Sequence, residues 1–207
     1  MVYGKKRTKT GILGGTFNPV HNGHIHLAEN ALQAAGLDQI LFVPSGISYM
    51  KDQHEILPAK ERVELVRLAI QDHPRFLLST IETDRECNSY THETILTLQT
   101  KHRDTEFFFL TGADTIFSME DWKDPVTIFR SVTILAACRP GVSQEDLRQK
   151  IAYLHIAYGA DIRLIAVDFV NISSSYIRNA IKEGKSVHGL LPFAVEAYIK
   201  EHHFYTN

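Results

Sequence analysis

Short apolar runs alternate along the chain with segments whose apolar residues recur at helical spacing. Six of these runs are rich in β-branched and aromatic residues and are short enough to be buried strands. The predicted strands cover residues 11–13, 39–43, 75–79, 106–111, 132–138 and 162–167. Because strands that alternate with helices form right-handed βαβ units, we predict a Rossmann-like, doubly wound α/β fold with a mostly parallel sheet and helices on both faces.

The segments between these strands carry the start and stop signals of helices. Ile25, Ala28 and Leu32 would form one apolar face, and Gly36 follows them as a C-terminal stop. Pro58 is placed to open a second helix, because its fixed φ suits the first helical turn. The apolar face of that second helix would consist of Val63, Val66 and Ile70.

Three further helices are predicted in the last third of the chain. Ser143 and Asp146 resemble a capping box at the start of the first of them, and Gly159 follows as its stop. The apolar stripe of this helix would consist of Leu147, Ile151, Leu154 and Tyr158. The last two helices are predicted at residues 174–182 and 192–202.

The composition is that of a globular protein built as one domain. The chain has 207 residues, of which 44% are hydrophobic and 22% are charged. We therefore predict a single domain over residues 1–207, with a helical segment from about residue 172 packed onto it. The formal net charge of −2 disfavours a nucleic-acid or membrane partner, since both need a basic surface.

Targeting signals and cysteine usage both indicate a cytoplasmic protein. No apolar stretch approaches the roughly 18 residues of a membrane span, and the basic run at residues 5–9 lacks the apolar core of a signal peptide. Cys87 and Cys138 lack the spacing of metal ligands, which suits a reducing compartment. The oligomeric state stays open, with a homo-oligomer among the options.

The turn after the first predicted strand has the composition of a phosphate-binding loop. Residues 14–24 read GGTFNPVHNGH. Gly14 and Gly15 would let the backbone approach a ligand closely, and the following helix offers unpaired N–H groups and a positive dipole end. The spacing of the glycines matches neither the dinucleotide-binding fingerprint nor the Walker A loop.

His21 and His24 are the chemically informative residues of this turn. Two imidazoles three residues apart at the start of a helix project to the same side, and Gly23 leaves room between them. Donors in this position can hold the β- and γ-phosphates of ATP and stabilise charge on departing pyrophosphate. The alternatives are ordinary polar histidines or half of a zinc site, although neither cysteine is spaced to complete such a site.

A second phosphate-binding element is predicted where the last predicted strand leads into the next helix. Ser173 or Ser174 would cap this helix, and their hydroxyls can also donate to an anion. Arg178 follows about one turn later, where its planar guanidinium can reach the same phosphates. A capped helix with a surface arginine is the alternative if this segment is taken alone, whereas two helix starts facing one crevice would suit a triphosphate.

Together these motifs resemble those of the bacterial nicotinate-nucleotide adenylyltransferases, which belong to the HxGH nucleotidyltransferase superfamily. The resemblance extends over nearly the whole chain. Its first and last motifs are shared with phosphopantetheine adenylyltransferases, and the middle ones point to the nicotinate-nucleotide family. The matching positions are residues 14–24, 89–91 with Thr94, 111–114, 122–123, 139–141 and 172–178.

The resemblance implies a set of residues around ATP. His21, His24 and Arg178 would be the catalytic residues at the phosphates. The residues implied to bind ATP are Gly14, Gly15, Thr16, Phe17, Asn18, Lys51, Gly112, Asp114, Ile172, Ser173 and Ser174. As alternatives, Asp114 only caps a helix and Lys51 is an ordinary solvated lysine.

The resemblance also implies a set of residues around the acceptor, nicotinate mononucleotide. Trp122, the only tryptophan of the chain, would stack on the pyridine ring, with the backbone of Lys123 near the carboxylate. Thr91 would hold the nicotinate end, and Arg139 would complete the set. As alternatives, Trp122 is a core or lid aromatic and Arg139 serves only its own turn.

Two positions depart from the family pattern. Asn18 stands where the family usually has aspartate, which removes a negative charge beside the phosphates. Residues 47–51 read ISYMK where the family usually has PPHK, so Lys51 keeps its register while the shape of the loop changes. The second departure bears on acceptor selectivity more than on adenylyl transfer.

The reaction that the resemblance implies is adenylyl transfer from ATP to nicotinate mononucleotide. Mg²⁺ is expected to arrive with ATP and to keep most of its waters, without a dedicated protein cage. The alternative acceptors are phosphopantetheine and nicotinamide mononucleotide. The alternatives of other classes are a nucleotide sensor without turnover and an RNA-binding relative, for which the chain lacks a basic surface.

Overall fold

Six strands run parallel in one sheet within the part of the chain that the structure describes. The computed structural model describes residues 7–46, 56–85, 87–138, 143–167, 170 and 172–206. The strands are β1 (Thr8–Gly15), β2 (Gln39–Pro44), β3 (Phe76–Leu78), β4 (Thr105–Gly112), β5 (Thr133–Ala137) and β6 (Ile162–Ile165). Their spatial order is β3-β2-β1-β4-β5-β6 with parallel pairing throughout, which confirms the predicted α/β fold class.

Seven α-helices lie between or after these strands in the same described ranges. They are α1 (Asn22–Ala34), α2 (Ala59–Ile70), α3 (Thr91–Lys101), α4 (Pro125–Ser131), α5 (Gln144–Tyr158), α6 (Ser174–Lys182) and α7 (Phe193–Glu201). Short 3-10 helices at Ala113–Phe117 and Met119–Asp121 lie between β4 and α4. None of the described helices is long and apolar enough to cross a membrane.

The helices cover both faces of the sheet and enclose two buried apolar clusters. The first cluster lies under α1, α2, α6 and α7 and includes Leu13 and Ile177. The second lies under α3, α4 and α5 and includes Ile12 and Leu154. Neighbouring residues of β1 thus point into opposite clusters, as expected for a central strand that is buried on both faces.

The predicted strands and most of the predicted helix ends are confirmed. Gly36 adopts a φ of +58° after α1, and Gly159 adopts a φ of +72° after α5, so both act as left-handed stops. Ser143 caps α5, because its hydroxyl oxygen accepts the backbone N–H of Asp146 at 3.3 Å. The main difference is in β1, which begins at Thr8 because polar residues there still pair with β4.

The sequence did not locate α3 and α4, and it identified the buried face of α2 only in part, since Val66 and Ile70 are buried as predicted. α3 has few apolar positions, and α4 has seven residues, too few to show a helical period. Pro58 is the N-cap of α2 and not its first helical residue, and Val63 is only half-buried. The residues that α2 buries are Arg62, Leu65, Val66, Ala69 and Ile70.

The strand order reverses between β1 and β4, because the chain leaves β1 toward β2 and later returns on the other side with β4. In open parallel sheets, ligands bind at such a point, beyond the carboxyl ends of the strands. β1 ends at Gly15 and β4 ends at Gly112. The glycine-rich turn therefore lies at the ligand-binding edge of the sheet.

Candidate functional site

A cleft of about 780 Å³ opens beyond the carboxyl ends of β1 and β4. A smaller cavity of about 210 Å³ adjoins it and shares His24, Leu27, Gly112 and Ser174 with it. The predicted site residues that line the cleft are Gly14, Gly15, Thr16, Phe17, Asn18, His24, Gly112, Trp122, Ser174 and Arg178. The smaller cavity adds His21, Ile172 and Ser173.

The turn after β1 folds around the buried ring of Phe17. Phe17 adopts a φ of +50°, which side-chain-bearing residues rarely adopt, and its ring contacts that of His24 edge-on at 5.0 Å between centroids. A methyl group at Gly15 would lie 3.1 Å from this ring. Glycine at position 15 therefore lets the ring pack beneath the turn while the backbone lines the cleft.

The first turn of α1 brings the two histidines together. The backbone N–H of His21 donates to Nδ1 of His24 at 3.2 Å, and the two rings stack with centroids 3.7 Å apart. Because Nδ1 of His24 accepts a hydrogen bond, a neutral ring carries its hydrogen on Nε2. The helix start thus fixes both the orientation and the tautomer of His24.

Gly23 provides the space that the His21 ring occupies. A methyl group at position 23 would lie 3.0 Å from Nδ1 and 3.1 Å from Cε1 of His21. The backbone N–H of Asn22 donates to the carbonyl of Leu190 at 2.9 Å. The start of α1 therefore offers fewer N–H groups to a ligand than predicted.

The start of α6 faces the start of α1 across the smaller cavity. Ser173 is the N-cap, and its hydroxyl oxygen accepts the N–H of Tyr176 at 3.2 Å. The hydroxyl of Ser174 donates to the carbonyl of Pro19 at 2.9 Å. The sequence predicted hydroxyl donors for an anion at both serines, but the hydrogen of Ser174 is used within the protein. The helix dipole and the first N–H groups of α6 still favour an anion here.

Two arginines hold the carbonyl groups of the glycine-rich turn. Arg178 donates from Nη1 to the carbonyl of Asn18 at 3.0 Å, which places its guanidinium at the wall of the cleft. Arg62 donates from Nη1 to the carbonyl of Thr16 at 2.8 Å and from Nε to the carbonyl of Leu57 at 3.0 Å. Arg62 is buried, and the loss of hydration lowers its pKa.

Arg62 was missed by the sequence analysis. The signal was present, since Arg62 lies four residues before Val66 on the buried face of α2. A charged residue on an apolar helix face is rare unless its donors are satisfied.

Trp122 also lines the cleft. Its ring meets Phe109 edge-on at 6.1 Å between centroids. The preceding 3-10 helix is tied to α5, because Glu120 accepts from the hydroxyl of Tyr158 at 2.9 Å and pairs with Lys150. The bond from Lys150 lowers the pKa of Glu120, and the bond to Glu120 raises the pKa of Tyr158 to about 12.

Glu82 connects α3 to the segment that follows β2. Its carboxylate accepts from the hydroxyl of Thr94 in α3 at 2.8 Å and from the backbone N–H of Gly46. Burial raises the pKa of Glu82, and these hydrogen bonds and Arg85 partly oppose that effect.

Several predicted residues do not line either cavity. Thr91 is the first residue of α3, and Asp114 and Lys123 are exposed. Thr115 lines the cleft next to Asp114, and Ser175 lines it beside the predicted Ser174. Lys51 and Arg139 lie outside the described residues.

Both cavities lack acidic side chains among their described lining residues. Within the described ranges, no three His, Cys, Asp or Glu side chains come together as a metal site would require. This lining suits a polyanion, and a divalent cation in the cleft would find its oxygen ligands on a bound polyphosphate.

Comparisons with known proteins agree on one family. The cytidylyltransferase-like family model matches residues 12–180. A protein of Lachnoclostridium phytofermentans named "Probable nicotinate-nucleotide adenylyltransferase" is 41% identical over 197 residues, covering 95% of this chain and 98% of the relative. A protein of the same name from Dehalococcoides mccartyi is 38% identical over 201 residues, covering 95% and 97%.

The solved structures show the same fold at lower sequence identity. The nicotinic acid mononucleotide adenylyltransferase of Plasmodium falciparum, solved in complex with NaAD, superposes with a TM-score of 0.78. The alignment covers 96% of this chain and 97% of that one at 17% identity.

Proposed function

The chain belongs to the cytidylyltransferase-like family and, within it, to the nicotinate-nucleotide adenylyltransferases, and on that premise we propose its reaction and its substrates. It transfers AMP from ATP to nicotinate mononucleotide, and the products are nicotinate adenine dinucleotide and pyrophosphate. This reaction is a step of NAD biosynthesis, and we place it in the cytoplasm.

One observation supports this proposal above the others. The first turns of α1 and α6 lie at two adjoining cavities. His21, His24 and Ser174 line the smaller cavity, and Arg178 lines the cleft. The cleft of about 780 Å³ is within the range of pockets that hold nucleotide-sized ligands. Its described lining combines cationic and neutral donors without a carboxylate, which is the arrangement that a triphosphate requires.

The transfer proceeds by one in-line displacement. An oxygen of the acceptor's 5′-phosphate attacks the α-phosphorus of ATP, and the bond from that phosphorus to the bridging oxygen of the β-phosphate breaks. Its electron pair leaves with pyrophosphate, which gains the negative charge. A phosphate nucleophile is already ionised at neutral pH, so the enzyme needs neither a general base nor a covalent intermediate.

The residues of the two helix starts act on the leaving group. His24 donates from Nε2 to the β- and γ-phosphates, and His21 supports the ring of His24 by stacking. Arg178 adds its positive charge from the wall of the cleft. Mg²⁺ that arrives with ATP would further neutralise the phosphate charge. Catalysis thus depends on positioning and on charge stabilisation.

The acceptor occupies the side of the cleft that Trp122 lines. The indole provides a flat face for the pyridine ring, and its edge-on contact with Phe109 holds the indole plane. Thr91, Lys123 and Arg139 remain proposed contacts of the acceptor, and Lys51 remains a proposed contact of ATP. They lie outside the lining of both cavities or outside the described residues.

His24→Ala tests the catalytic role of this histidine. Removing one preorganised donor to a developing charge costs about 10²–10³ in kcat. The matched control is His26→Ala, two residues later on the same helix, where the side chain is exposed and contacts Glu29. We expect full turnover in His26→Ala, and near-native turnover in His24→Ala would remove the catalytic role.

A panel of acceptors tests the substrate. Pyrophosphate release is measured with ATP, Mg²⁺ and either nicotinate mononucleotide, nicotinamide mononucleotide or phosphopantetheine. We expect the highest kcat/KM with nicotinate mononucleotide. A preference for another acceptor would reassign the substrate, and binding of ATP without release of pyrophosphate would indicate a nucleotide sensor.

A further inference from the structure

The turn at residues 16–19 is held by segments that are far away in the sequence. Arg62 of α2 and Arg178 of α6 each donate to a backbone carbonyl of this turn. A third contact comes from the C-terminal segment after α7, where the hydroxyl of Tyr205 donates to Oδ1 of Asn18 at 2.8 Å. Tyr205 follows Asn18 by 187 positions in the chain.

The turn needs these contacts because its backbone is strained. Phe17 adopts a φ of +50° although it is not glycine. Such a conformation is unfavourable for a residue that carries a side chain, and it persists only where the surroundings impose it. The side chain of Asn18 receives two of the hydrogen bonds that stabilise the turn. Its Oδ1 accepts from the Tyr205 hydroxyl and from the backbone N–H of Leu57, with 3.1 Å between the Leu57 nitrogen and Oδ1.

The contact between Tyr205 and Asn18 is sheltered from water. Asn18 is buried, and Tyr205 packs against the first apolar cluster. Burial raises the pKa of Tyr205, and the nearby Arg178 and Arg62 only partly oppose this effect. The phenol therefore keeps its hydrogen and remains a donor throughout the neutral range of pH.

We propose that Tyr205 is a positioning residue of the nucleotide site, whose hydrogen bond to Asn18 keeps the turn in the conformation that binds the phosphates of ATP. Tyr205 is absent from the described lining of both cavities, so it acts through Asn18. The proposal rests on the proposed function and extends it to the C-terminal segment. The proposal also assigns a role to Asn18. Its neutral amide accepts the hydrogen bond from Tyr205 without adding a negative charge beside the phosphates.

Tyr205→Phe removes the hydroxyl and keeps the ring. We expect about a five-fold rise in the Kd of a non-hydrolysable ATP analogue, measured by calorimetry without acceptor, and in the KM for ATP. The matched control is Tyr198→Phe on α7, which removes a hydroxyl that donates to Glu61 at 3.0 Å. The control should bind the analogue like the wild type. Native affinity in Tyr205→Phe, or an equal loss in both variants, would overturn the proposal.

A double-mutant cycle tests whether Tyr205 acts through Asn18. Asn18→Ala removes the acceptor oxygen, so adding Tyr205→Phe to it should change the Kd of the analogue by less than two-fold, because contacting residues are not additive. A full five-fold further loss in the double variant would show that the two residues act independently. That result would contradict the proposal that Tyr205 acts through Asn18.

A measurement on the wild type covers the case in which Tyr205→Phe does not fold. Binding of the ATP analogue should slow amide hydrogen exchange at residues 203–206 together with residues 16–18. Unchanged exchange in the C-terminal segment would contradict the proposal. The Kd of the ATP analogue and the hydrogen-exchange measurement need no acceptor, so a failure to use nicotinate mononucleotide would count against the proposed function and not against this inference.

Discussion

Two glycines of β1 show how one residue type serves two purposes in the same strand. A methyl group at Gly11 would lie 2.7 Å from Ile40, 2.8 Å from Leu110 and 2.9 Å from Leu37. At Gly14, apart from the glycine and its two chain neighbours, no atom of the described residues lies within 4 Å of the same position. Gly14 lines the cleft, so its open side faces the space for the ligand. Gly11 serves packing, and Gly14 serves the site.

Alanine at these two positions should therefore give opposite results. Gly11→Ala overpacks the core and should lower the free energy of unfolding by about 1–3 kcal/mol, with ATP affinity unchanged. Gly14→Ala should leave stability unchanged and weaken ATP binding about tenfold, since the methyl group enters the cleft. Urea denaturation and calorimetry measure the two quantities. Loss of stability in Gly14→Ala with intact binding would contradict this assignment.

Gly23 predicts a separation of activity from stability. Gly23→Ala would place a methyl group 3.0 Å from Nδ1 of His21, so the ring must move. Alanine is the better helix former, so the free energy of unfolding should not fall. We expect kcat to decrease at least tenfold. This loss is about ten times smaller than the loss expected when a donor to the phosphates is removed outright. Native kcat in this variant would show that the position of His21 does not matter.

At the scale of residues, the sequence predicted the parts of the site that are contiguous. His21, Gly23 and His24 form one short motif, so their spacing alone predicts a shared side of a helix start. Arg62 and Tyr205 reach the same turn from distant segments. No local pattern specifies such a contact, because it depends on how α2 and the C-terminal segment pack.

At the scale of elements, prediction succeeded where an element buries a clear apolar face. α1, α5 and α6 have such a face together with a cap or stop residue. α3 and α4 have neither a long apolar stripe nor enough length, so tertiary packing decides their structure. Thr91, a proposed acceptor contact, begins α3, and Trp122 lies just before α4, so these proposed contacts lie where the sequence located no helix.

The connection between α5 and the 3-10 helix before Trp122 gives a prediction for the acceptor. Tyr158→Phe removes one of the bonds that hold Glu120, two residues before Trp122. We expect the KM for nicotinate mononucleotide to rise about three- to five-fold, while the KM for ATP stays constant. Steady-state kinetics with each substrate varied in turn measures both values. An equal change in both KM values would contradict a role confined to the acceptor side.

At the scale of the whole molecule, the buried Glu82 makes stability depend on pH. Its folded-state pKa is raised by burial above the ordinary value of 4.5, so the native state holds this proton more tightly than the unfolded state. Between the two pKa values, native stability therefore falls as pH rises. Arg85 and Arg62 reduce this effect without reversing it.

Glu82→Gln tests this dependence, because glutamine does not titrate. The free energy of unfolding of the wild type minus that of the variant should decrease as pH rises above 4.5, the ordinary pKa of this carboxyl group. Urea denaturation at several pH values provides this difference. A difference that stays constant or increases with pH would show that Glu82 is ionised in the native state as readily as in the unfolded chain.

The position of Trp122 also gives the protein a built-in optical reporter. The chain has one tryptophan, and its indole lies in the wall of the cleft. Light that excites indole selectively will therefore report from this wall alone, without labelling or background from a second tryptophan. Titration with the pyridine nucleotide should quench or shift this emission, so occupancy of the acceptor side can be followed in real time.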